Sequence, residues 1–159
     1  MHLWTIQRYK KFYSNTNVRS GLRVRYDQDI PAEVKESIVR FVKWLRDNYE
    51  FPFRVNIYVK SDSSIVAWDG EPVNGVFRYN DDRYVEPYIK VATGDFNKNK
   101  EKYGRDDALA TILGTIIHEL THYFQWINNT SQTDRGMEYQ ATLYKKWILY
   151  EYSHFTDHP

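Results

Sequence analysis

The sequence predicts an α+β fold: an N-terminal helix, a four- or five-stranded twisted mixed sheet, then a motif-bearing helix and a C-terminal helix, in one domain spanning residues 1–159. Three patterns predict it. Apolar residues recur at helical spacing from Val34 to Leu45, alternate with polar ones between Leu22 and Ala92, and return at helical spacing from Leu109 to Ile127. A chain of 159 residues is long enough to bury a core of its own.

Composition narrows the partners. Lys and Arg total 22 against 21 acids, so no global field recruits nucleic acid or an anionic membrane, and neither partner is expected. Arg8, Lys10, Lys11, Arg19, Arg23 and Arg25 make the first stretch locally basic, which reads as a solvated face. There is no cysteine, which excludes a disulfide framework and any thiolate metal site. The first residues lack the apolar core of an export signal, and no run approaches the roughly 18 apolar residues of a membrane span. A cytoplasmic location is expected.

Residues 1–20 resist assignment. Aromatics alternate with basics, and Ser14-Asn15-Thr16-Asn17 reads as a turn. Residues 22–26 alternate cleanly and predict a short strand. Asp29 and Pro31 mark a helix start, and Val34, Ile38, Phe41, Val42 and Leu45 give that helix one apolar face to about residue 48. Strands are predicted at 54–59, 64–68, 75–79 and 88–92, with a turn at 69–72. Residues 97–102 read as a charged loop. Asp106 and Asp107 then stand where carboxylates complement a helix N-terminus. The helix that follows runs to about residue 128. A polar connection over 128–136 leads to a last helix over 137–152, with Leu143, Trp147, Ile148 and Tyr150 among its apolar members.

The long helix carries His118-Glu119-x-x-His122. Residues four apart share a helix face, so both imidazoles can reach one metal ion, while the glutamate stands beside it as a candidate general base. Position on the helix supports this. Leu109, Leu113, Ile116, Leu120, Phe124 and Ile127 form an apolar stripe, and the two histidines lie opposite, among Thr111, Gly114, Thr115 and Gln125. Between Asp107 and Asp134 there is no Lys or Arg and no acid but Glu119. That second face is polar yet almost uncharged, as the floor of a cleft would be.

A catalytic metal needs a third protein ligand and an open position. Asp134, Glu138, His154 and His158 are the downstream candidates. Glu138 is favoured, because it follows a short connection and opens Glu138-x-x-Ala141, whose small residue lets two helices approach. His154 falls about 160° from Glu138 around an unbroken helix at 100° per residue. His154 and His158 read as terminal surface residues.

His118-Glu119-Leu120-Thr121-His122 followed by Glu138-x-x-Ala141 resembles the gluzincin branch of the zincin metallopeptidases. The run Glu138-x-x-Ala141-x-x-Tyr144-x-x-x-Ile148-Leu149 is similar to the small ImmA/IrrE-like peptidases. The likeness covers residues 115–150. It implies a zincin-like fold, Zn²⁺ as cofactor held by His118, His122 and Glu138, Glu119 as catalytic base and acid, and a peptide or protein substrate beside a sheet edge. Tyr88–Ala92, nearest in sequence to the motif helix, is the expected edge. Two departures stand out. Thr142 occupies the position where many gluzincins place an Asp that orients a zinc-bound His, and no downstream His or Tyr falls into place as a transition-state donor. Asp134 remains a rival ligand, since Thr133-Asp134 faintly resembles the aspartate-ligand zincins.

Peptide hydrolysis by a zinc-activated water is therefore the leading expectation. One alternative is an aromatic-rich protein- or glycan-binding module without catalysis, using Trp4, Trp68, Tyr79 and Tyr84. Another is a regulatory protease that cuts one partner, such as a repressor.

Overall fold

The computed structural model describes residues 2–13, 17–156 and 159. Ser14, Asn15 and Thr16 of the turn expected over residues 14–17, and the terminal His158, lie outside them. The chain opens with a 3-10 turn (Leu3–Thr5) and a single turn, α1 (Lys10–Tyr13), before β1 (Leu22–Tyr26) and α2 (Ala32–Asn48). Pro31 precedes α2 with φ −56°, a backbone angle its ring sets in advance for helix entry. Val34, Ile38, Phe41, Val42 and Leu45 are all buried, as their spacing predicts.

Next come β2 (Val55–Lys60), β3 (Ile65–Val66), β4 (Pro72–Val73), β5 (Gly75–Arg78) and β6 (Tyr88–Ala92). The main sheet has four strands in the order β1-β2-β6-β5. β1, β2 and β6 run parallel, and β5 runs antiparallel to β6. Parallel strands usually read as continuous apolar runs because both faces are covered. These alternate instead. Val55, Ile57, Val59, Ile89 and Val91 are buried on one face, and polar neighbours stand on the other.

Three expectations need correction. The strand over 64–68 shrinks to Ile65–Val66 and leaves the main sheet, pairing only with Pro72–Val73. Pro72 lacks the N–H of a full ladder, and Gly70 turns the chain at φ +88°. Tyr88–Ala92 is not an edge: β2 flanks it on one side and β5 folds back along the other, so the edge on the α4 side of the cleft is β5. The charged loop at 97–102 is helical, α3 (Phe96–Tyr103). Phe96 anchors it in the core, and Glu33 of α2 ties it down through Lys100 at 2.7 Å.

α4 (Arg105–Ile127) is the central element, with Asp106 and Asp107 in its first turn. Its apolar stripe packs against β5 and β6, while Ala108, Ile112, Ile117 and Tyr123 are buried as well. α5 (Asp134–Phe155) starts three residues earlier than the spacing suggests, because Thr133 caps it by accepting from the Gly136 N–H at 3.0 Å. α5 meets α4 through Ala141, Tyr144 and Ile148, whereas Leu143, Trp147 and Tyr150 are largely exposed. The N-terminal turn wedges between the two helices. Trp4 is buried and donates its indole N–H to Thr121 at 3.2 Å, and the Leu3 N–H reaches the Tyr144 hydroxyl at 2.7 Å.

Candidate metal centre

His118 and His122 emerge from α4 on its one uncovered strip, and Glu138 faces them from the second turn of α5. His118 Nε2 lies 3.0 Å from one Glu138 carboxylate oxygen, and His122 Nε2 lies 2.8 Å from the other. The three donor atoms all fall within 4.8 Å of one another, so these side chains could hold a metal ion. The imidazole rings stand nearly perpendicular, with centroids 4.9 Å apart. Burial, and then the neighbouring His122, lowers the pKa of His118 and favours the neutral, ligating form of its ring.

The helices can approach this closely because of two small residues. Ala141 is fully buried on α5. On α4, a Cβ at Gly114 would meet the Lys145 stem at 3.1 Å, so glycine there makes room for that side chain. Lys145 is seven residues after Glu138, on the same face of α5, and its charge is felt at His118.

A buried glutamine organises the second histidine. Gln125 Oε1 lies 2.7 Å from His122 Nδ1. The Gln125 amide nitrogen donates to Met137 O at 3.0 Å and to Gln140 at 2.9 Å. Met137 O can only accept, so the amide orientation is fixed and Oε1 must receive a proton from Nδ1. In the neutral ring Nε2 of His122 then carries the lone pair, aimed where Glu138 also points. Lone pairs from three side chains converge on one place, which is the donor chemistry a cation requires.

Glu119 lies beside this group and is nearly buried. Burial, and then the charge of Glu138, pushes its pKa up to about 8. The edge strand comes close at this point. A Cβ on Gly75 would sit 2.6 Å from Thr115 Cγ2 and 3.3 Å from Glu119 Cγ, so only glycine lets β5 lie this near α4. Between β5, α4 and the start of α5 opens a cleft of about 870 Å³, with the two histidines, Glu119 and Glu138 in its wall.

The other candidates fall elsewhere. Asp134 borders the cleft but does not join the three donors. His154 sits near the far end of α5 with its Nδ1 2.8 Å from Tyr150 O. Thr142 turns back onto Glu138 O at 3.0 Å and orients no histidine. Trp4 is core, while Trp68 and Tyr79 stand exposed at the cleft and Tyr84 is exposed. The residues that spacing alone did not single out for a role are Gln125 and Gly75. The position of Gln125, three after His122 on one helix face, is the signal that could have found it. No protein-family model, curated protein or solved structure matches the chain.

Proposed function

We propose that the chain is a zinc-dependent metallopeptidase of gluzincin type, cutting peptide bonds within a protein or peptide substrate. The observation that carries this is the convergence of His118, His122 and Glu138 beside a buried Glu119 in an open cleft. Two imidazoles, one carboxylate and a remaining open position make the donor set of hydrolytic zinc sites. Zinc bound there would supply a Lewis acid that acidifies a water and polarises a carbonyl.

The protein's own residues account for the rest. Glu119 takes the proton of the attacking water and delivers it to the leaving amine. Its burial favours the protonated form, the one that delivers a proton to the leaving amine. β5 offers the substrate a backbone template. The Ala92 N–H donates to Asn74 O, so by antiparallel alternation Gly75 and Phe77 turn their N–H and C=O groups to the free edge. An extended peptide can add there as a further strand.

Glu119→Gln tests the role. The variant should retain its metal and lose roughly 10²–10⁴-fold in turnover on a peptide library. Full activity in that variant would remove Glu119 from the mechanism. Zinc binding without activity on generic peptides would favour the regulatory protease, which cuts one partner.

A further inference from the structure

The main sheet has a second surface, opposite the one that α4 covers. Helices pack on the face of Ile57, Ile89 and Gly75. The other face carries no helical layer among the described residues. Register sets its side chains in rows across the strands. Arg23, Asn56, Tyr88 and Arg78 form one row, and Arg25, Tyr58, Lys90 and Val76 form the next.

Two features of these rows point the same way. The charges are all positive, with no acid among the outward strand residues. The nearby acids come from the strand ends and are engaged: Asp27 with Lys60 at 3.2 Å, and Glu86 with Arg19 and with the Asn56 side-chain amide at 3.1 Å. The aromatic residues sit between cations. Tyr58 is paired in register with Arg25 on one side and Lys90 on the other; Tyr88 is paired with Arg78, whose guanidinium donates to Val66 O at 3.0 Å, and has the Lys90 ammonium 5.9 Å from its ring. The two rings lie 6.0 Å apart, and both are partly exposed. A face kept only for solubility mixes both signs.

We propose that this face binds single-stranded nucleic acid. Cations on neighbouring strands follow a phosphate backbone, and the tyrosines between them present flat surfaces on which unpaired bases stack. A duplex hides its base faces and an acidic peptide has none, so neither uses both features. The near balance of charge over the whole chain conceals the surface, because its cations come from well-separated stretches that meet only in the sheet. The proposal is independent of the metal centre.

The test is fluorescence anisotropy of a labelled single-stranded oligonucleotide, as DNA and as RNA, with the full chain over a range of salt. The same sequence as a duplex and polyglutamate serve as competitors. Affinity should fall with salt, and Arg25→Gln with Lys90→Gln should each lower the log–log slope by about 0.7. Tyr58→Leu or Tyr88→Leu should weaken binding about tenfold while leaving the slope unchanged. Circular dichroism checks that each variant folds, and the Arg25 and Lys90 variants stand alone if the tyrosine variants do not. No binding at low salt would overturn the proposal. So would binding that ignores the Arg25 and Lys90 substitutions, or polyglutamate or duplex competing as well as the single strand.

Discussion

Gln125 Oε1 accepts from His122 Nδ1 at 2.7 Å, while the same amide donates to the carbonyl of Met137, the residue before Glu138. One buried side chain thus orients two of the three converging donors across the α4–α5 contact. The chain from Gln125 continues through Gln140 to Gln132 and Thr130, which fixes the connection between the helices.

Gln125→Leu should therefore weaken metal binding by about 10–100-fold, read by competition with a chelator. Gln125→Glu keeps an acceptor for His122 but cannot donate to Met137 O, so it should recover part of that loss. A purely structural role would lower the melting temperature of both variants and leave metal affinity unchanged. Equal affinity in all three proteins would refute the positioning role.

Gly75 holds β5 against α4. Gly75→Ala should cut peptide hydrolysis while metal content stays the same, because the new methyl meets Thr115 Cγ2 at 2.6 Å. Thr115→Ser deletes that methyl, and the double variant should regain part of the activity, the Lys90 O contact at 3.1 Å remaining. If Gly75→Ala alone cleaves at the native rate, β5 is not the substrate's template.

Asp27 makes stability depend on acid. The Ser61 N–H at 2.8 Å, together with Lys60, holds its carboxyl below the usual aspartate range. A depressed folded-state pKa contributes stability above the unfolded value and loses it as pH falls through the folded one. Asp27→Asn should lower the melting temperature by about 2–4 °C near neutral pH. The gap should close in strong acid. A gap that persists there would assign the effect to packing.

Much of the fold and of the candidate metal centre is legible in the order of the residues. α2 and α4 follow from apolar spacing, since each buries a continuous stripe. The histidine pair follows because four residues bring two side chains onto one helix face. Other features are hidden for physical reasons. α3 has Phe96 as its one buried residue, so no periodicity betrays it. Alternation in Tyr88–Ala92 reports a half-buried strand but not its neighbours, and its interior place depends on β5 folding back. The work of Gln125 rests on partners in α5, and the crossing that supplies them is a tertiary fact.

Elemental analysis of the purified, tag-free protein, beside Glu138→Ala, decides whether the three donors hold a metal at all. About one zinc per chain is expected, sharply reduced in the variant. No zinc after reconstitution would contradict the metallopeptidase. Zinc undiminished in Glu138→Ala would contradict the third ligand and return Asp134 to that place.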